Sequence, residues 1–279
     1  MDLNWLESFL YSLFSGLADI VPVSAEAHRV LMLKFFGMQG SSNNLMNLLV
    51  DLGVLGALYF SCRRQIIQMT RARRLARVPK RRRRRPLDTR SLMDFSLLKT
   101  MLIPILLSFF VYSYAKKLEE KPVCIIIFLF VNGLILYIPQ FFPTGNRDSR
   151  TLSRVQGLLM GLGGALGVVP GISAMGTALS VSSICGVEKS YGLQMALLMN
   201  LGIHVGLIVM DLMALISGGA GIVSFGILLR YLVSAGVAFG AGILGVKLMR
   251  LLTGNGHTNL LAFYCWGVAL FTFILNLMA

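Results

Sequence analysis

Pro22-Val23-Ser24-Ala25-Glu26-Ala27-His28 interrupts one apolar run, and Pro170-Gly171-Ile172-Ser173-Ala174-Met175-Gly176 interrupts another. The first run covers positions 5–23, carries Gly16 and Asp19 before its proline, and is followed at once by a short apolar run at 28–36. The second covers 155–169, is rich in glycine, and is followed by a short run at 177–185. A helix needs about 20 apolar residues to cross a hydrocarbon core. None of these pieces is a clean crossing. Each pair reads as a hairpin that enters the membrane and turns back. Irregular backbone at that depth is tolerated only where it lines a polar cavity or is buried in protein.

Working outward, each hairpin is followed by three longer apolar stretches. The first half, 1–145, comprises a re-entrant hairpin at 4–37, spans at 43–62, 92–114 and 122–142, and a basic loop at 63–91. The second half, 146–279, comprises a hairpin at 155–186 and spans at 190–216, 222–249 and 258–278. The expected fold is an all-α polytopic membrane protein. It is built as an inverted-topology repeat, each half a re-entrant helical hairpin plus three transmembrane helices. An odd number of spans per half requires the inversion, and inverted repeats with broken helices are common in transporters. Composition agrees: 56% of residues are hydrophobic and only 14% charged, with a mean hydropathy of +0.73. A soluble domain carries roughly a quarter charged residues.

The formal net charge of +14 is concentrated rather than spread. Half of the lysines and arginines lie between positions 63 and 90, around Lys80-Arg81-Arg82-Arg83-Arg84-Arg85. The expected partner there is anionic phospholipid, not nucleic acid, and the loop is expected to be cytoplasmic. That orientation also places Arg147, Arg150, Arg154, Lys247 and Arg250 inside. Cys62, Cys124, Cys185 and Cys265 form no CxxC and read as small core residues. Asp2 and Glu7 stand where a cleaved signal peptide would be basic. Gly236, Gly240, Gly242 and Gly245 read as a smooth helix-packing face.

Polar residues inside membrane segments are costly and point to function. At the first break, His28 can exchange a proton and Asp19 can orient it or hold a cation. Ser24 offers a nucleophile or a phosphate ligand. The plainer reading puts Glu26 and His28 against headgroup water. At the second break, Gly171 and Gly176 let N–H groups approach an anion beside Ser173 and Thr177; the plainer reading is a Gly-Pro turn capped by Ser173. Asp51, Asn132, Asn200, His204 and Asp211 lie within spans, as interhelical hydrogen-bonding groups or as cavity groups. Asn200 and His204 are one turn apart on one face.

The stretch 15–28, from Ser15-Gly16-Leu17 to Glu26-Ala27-His28, resembles the first signature of the BacA-type undecaprenyl-diphosphate phosphatases, roughly E-G-L-T-E-F-L-P-V-S-S-x-x-H. Positions 170–176 resemble the second, P-G-x-S-R-S-G. The likeness extends to Asp51-Leu52-Gly53, to 198–202 and to Asp211. It implies removal of the terminal phosphate of undecaprenyl diphosphate at the outer face of the bacterial inner membrane, recycling the lipid carrier for peptidoglycan, with a divalent cation, Mg²⁺ or Ca²⁺. Overproduction in that family can give bacitracin resistance.

On this pattern the catalytic candidates are Asp19, Ser24 and His28, the phosphate-binding candidates Gly171, Ser173, Gly176 and Thr177, and the metal candidates Asp19 and Glu26. A polyprenyl (di)phosphate lipid is the expected ligand, and a second copy of the chain is the further partner considered.

The motifs also depart from the family. Ser15 stands for its first acid, Ala25 for its second serine, Ala174 for its arginine, Met175 for the next serine, and Ala178 for a threonine beside Thr177. Two main readings follow: a hydrolase, and a catalytically impaired homologue that binds or translocates the lipid. An unrelated small-solute transporter is the third. A positive side chain near Ser24 and Ser173 would favour the hydrolase reading.

Overall fold

The computed structural model describes residues 3–35, 44–83, 85–218 and 224–278. Asp2 and positions 36, 37, 43, 84, 222 and 223 of the expected elements lie outside the described residues. Apart from one isolated bridge between Arg147 and Val187, the described residues form helices and turns. The helices are α1 (Trp5–Ala18), α2 (Ala25–Phe35), α3 (Asn44–Ala76), α4 (Thr89–Ser108), α5 (Tyr112–Lys116), α6 (Pro122–Tyr137), α7 (Arg154–Ala165), α8 (Ala174–Ile184), α9 (Lys189–Gly218), α10 (Phe225–Gly254) and α11 (Leu260–Met278). Six segments, at α3, α4, α6, α9, α10 and α11, are long and apolar enough to cross a membrane. The chain is an all-α, multi-pass membrane protein.

The first helix of each hairpin starts in the same way. Asn4 accepts the Glu7 N–H while the Glu7 carboxylate accepts the Asn4 N–H. Ser153 and Gln156 repeat this reciprocal pair at α7. Such capping boxes satisfy two N–H groups that a helix start leaves unpaired.

Packing crosses between the halves. α1 lies against α10, and α7 lies against α4. α3 pairs with α9 and α6 with α11. The cross-pairing brings both hairpins to the centre. It depends on close backbone approach at glycines, among them Gly161 of α7 against Met101 of α4. A Cβ on Gly16 would fall 2.5 Å from the Ala238 carbonyl oxygen, and one on Gly53 would fall 2.3 Å from that of Ala235. The expected glycine face on α10 is only half used: Gly242 and Gly245 pack on Ile20, whereas Gly236 and Gly240 meet nothing within 4 Å. They lie on the opposite, outward face of the helix.

One boundary differs from expectation. α3 does not end near position 62 but continues to Ala76 through much of the basic stretch. At 1.5 Å per residue, its 33 residues reach about 50 Å, well beyond a hydrocarbon core of about 30 Å. The segment is rich in strong helix formers. One side of it stays buried at Met69 and Ala72, and Arg73 stacks over Phe95 at 4.4 Å. Arg83 then folds back to donate to the carbonyls of Ala76 and Val78, supplying partners that a helix end lacks.

Candidate functional site

The two breaks touch. The Gly171 N–H donates to Ser24 Oγ at 3.1 Å. Asn132 of α6 joins both: its Nδ2 donates to the Pro22 carbonyl at 3.1 Å, and its Oδ1 accepts the Ser173 N–H at 2.9 Å. A Cβ on Gly176 would fall 2.8 Å from the Pro22 ring, so glycine permits the close approach there. Ser24 has φ 67° and Gly171 φ 102°. The left-handed backbone suits glycine but costs a serine roughly 1–2 kcal/mol. Ser24 is held in it by the Gly171 contact and by its own carbonyl, which accepts both the backbone N–H and Nδ1–H of His28. Strain of this kind persists only where the surroundings over-determine it.

Beside the breaks lies a small cavity of about 80 Å³ lined by Asp19, Ser24, Glu26, Ser173, Asn200 and His204 among others. It has room for a headgroup fragment but not for a lipid chain. No lysine or arginine lines it among the described residues. One layer behind is a positive charge that the sequence reading missed, Arg29. Its side chain is 8% exposed. Its Nε donates to Ser15 at 2.9 Å, Nη1 to Glu26 at 3.0 Å, and Nη2 to Asp19 at 3.1 Å and Asp51 at 3.0 Å. Three carboxylates thus share one guanidinium, so the cluster keeps two uncompensated negative charges when all three are ionised.

His204 of α9 completes the group. Its Nδ1–H donates to the Asn200 carbonyl at 3.0 Å, while Asn200 Nδ2 holds the Asp19 carbonyl at 2.9 Å. In the neutral ring this bond leaves the lone pair on Nε2. That atom is buried with no hydrogen-bond partner among the described residues, 3.7 Å from Asp19 Oδ2, too long for a hydrogen bond. One ligand atom each from Asp19, Asp51 and His204 lie within 4.8 Å of one another. A histidine that ligates a metal through one nitrogen usually donates the other N–H to a carbonyl or carboxylate. The donor set and its negative charge therefore fit a divalent cation. Glu26 lies outside this three-residue group.

The other expected residues divide. Asp19, Ser24, Glu26 and Ser173 share the cavity. His28 does not: its Nε2 accepts from the Tyr264 hydroxyl at 2.8 Å, and its ring borders a separate, mostly apolar cavity of about 510 Å³ between α1, α2 and α11. Gly171, Gly176 and Thr177 are absent from the polar lining. Their N–H groups donate to Ser24, Ser173 Oγ and the Ser173 carbonyl, so they brace the turn. Asp51, Asn132, Asn200 and His204 were visible as polar residues in spans. Arg29 is not evident from the sequence, because its partners are spread from 14 residues before it, at Ser15, to 22 after it, at Asp51.

These features define a class: a helical membrane protein in which two broken hairpins meet around a buried, charged site. The chain matches the family model described as bacitracin resistance protein BacA over residues 8–271. It belongs to that family. It is similar to the undecaprenyl-diphosphatase of Methanobrevibacter smithii, with 25% identity over 96% of both chains. It is also similar to undecaprenyl-diphosphatase 1 of Shouchella clausii, with 27% identity over 98% of this chain and 96% of the relative. The enzyme of the same name from Carboxydothermus hydrogenoformans is 24% identical over 95% of this chain and 94% of its own.

Proposed function

We propose that this protein takes the headgroup of undecaprenyl diphosphate into the cavity between the breaks and releases its terminal phosphate, regenerating the carrier lipid in a bacterial plasma membrane. The cavity would face outward and the basic end the cytoplasm, as the charge distribution favours. The observation that carries the reading is the meeting of Ser24, Asp19 and Ser173 from both breaks in one cavity of a BacA-family chain. Ser24 Oγ, held by the Gly171 N–H, keeps its proton to donate to a phosphate oxygen or to lose as a nucleophile. Ser173 and Asn200 offer further polar contacts. Asp19 and Asp51, with His204, would hold Mg²⁺ or Ca²⁺, and Arg29 orients the carboxylates. A cation bound there supplies charge to neutralise the phosphate oxygens, which a cluster with excess negative charge otherwise repels.

A second reading has its own observation. Ala174 leaves no arginine at the second break, and Arg29 is engaged at Nε, Nη1 and Nη2 by Ser15 and three carboxylates. A headgroup is then bound or translocated without being cut. Phosphate release from undecaprenyl diphosphate by the purified protein in detergent decides between them. Hydrolysis predicts release that needs Mg²⁺ or Ca²⁺ and falls about a hundredfold in Asp19→Asn, the scale of losing one electrostatic group. Release no greater than that of Asp19→Ala, with lipid still bound, supports the second reading and overturns the first.

A further inference from the structure

A second cavity lies at the basic end of the molecule, and the site between the breaks does not include it. It measures about 600 Å³ and sits where α3, α9 and α10 converge. Arg63 and Arg64 of α3 and Lys247 and Arg250 of α10 line it, and no carboxylate does. None of the four pairs with an acid among the described residues. Arg250 reaches across to the Ser61 carbonyl at 3.3 Å, and Arg63 stacks over Phe60 at 4.6 Å. Both guanidiniums are solvent-exposed, and each is tethered by one such contact.

Two buried polar groups point to a ligand independently of the charge. Gln65 and Thr253 line the same cavity. They are 7% and 4% exposed, and Gln65 Oε1 and Thr253 Oγ1 have no hydrogen-bond partner among the described residues. Buried polar atoms are nearly always paired, and an unpaired one is costly. The remaining wall is apolar, with Leu197 and Val246 buried in it.

We propose that this cavity is a binding site for a phosphate-monoester lipid, with the headgroup among the four cations and the chain along the apolar wall. Four positive charges without an acid favour a headgroup that carries more than one negative charge over a singly charged phosphodiester. The Thr253 hydroxyl can then donate to a phosphate oxygen that the cations leave open. The mixed wall favours an amphiphile over a free ion. The proposal does not rest on the reading of the site between the breaks.

Native mass spectrometry of the full-length protein tests it, titrating phosphatidic acid, phosphatidylglycerol and inorganic phosphate. Phosphatidic acid is expected to bind at least tenfold more tightly than phosphatidylglycerol, and inorganic phosphate not to displace it at equal concentration. Arg64→Gln with Lys247→Gln should weaken phosphatidic acid about tenfold, and Thr253→Val severalfold. Arg74→Gln, on the same helix beyond the cavity, should leave it unchanged. Equal binding of the two lipids, or equal loss in Arg74→Gln, would overturn the site in favour of diffuse surface charge. Displacement by equimolar inorganic phosphate would overturn the lipid in favour of a free anion.

Discussion

Arg29 is the residue on which the interior depends. A guanidinium suits three carboxylates because its donors fan out in a plane. Removing one partner of a buried ion pair typically costs about 3–5 kcal/mol, because the charges left behind stay desolvated. Arg29→Ala is therefore expected to lower the unfolding midpoint in detergent strongly, and adding Asp51→Asn should recover part of the loss. An unchanged midpoint in Arg29→Ala would remove the cluster from the account. Asn132 has a smaller role of the same kind. Asn132→Leu leaves the Ser173 N–H and the Pro22 carbonyl unpaired, at about 1–3 kcal/mol, and should loosen the junction of the breaks. The sequence reading recognised Asn132 as a hydrogen-bonding residue without its partners, which come from loops 110 and 41 positions away. Arg29 stayed hidden for a related reason: beside His28 and Glu26 it resembles an interfacial charge, and only the return of α3 brings Asp51 to it.

At the level of elements, hydropathy and punctuation anticipated two pairs of short helices and six helices long and apolar enough to cross a membrane, because proline, glycine and charge mark breaks that apolar runs cannot hide. The glycine pattern was less legible. Spacing alone does not say which face of α10 meets a neighbour. Gly53→Leu is expected to cost at least the roughly 1–3 kcal/mol of overpacking, since its side chain would meet the Ala235 backbone. Gly236→Ala should leave the melting temperature unchanged, and equal losses in both would contradict the observed packing. The basic stretch was misjudged because arginine is read as solvent-loving although it is also a good helix former. With α3 helical to Ala76, limited trypsin digestion should cut within 77–88 before it cuts at Arg63, Arg64, Arg71 or Arg73. Early cleavage at Arg63 or Arg64 would show a loop there.

For the whole molecule, the pairing of α1 with α10 and of α7 with α4 places both breaks against each other. It also separates two polar regions: a negative cluster near the middle and a positive cavity at the basic end. The family likeness was readable in the two motifs, but the buried cluster around Arg29 was not. Ser15, Asp51, Arg29 and His204 come from four helices and become one site only when folded. The central claim is that this site carries the headgroup on a cation held by Asp19, Asp51 and His204. Pulsed electron paramagnetic resonance of Mn²⁺ bound to the purified protein, with undecaprenyl diphosphate added, tests it most directly. The account predicts one Mn²⁺ per chain with both nitrogen and phosphorus couplings, the nitrogen coupling vanishing in His204→Leu. Phosphorus coupling without nitrogen in the wild-type protein, or no bound Mn²⁺ at all, would contradict it.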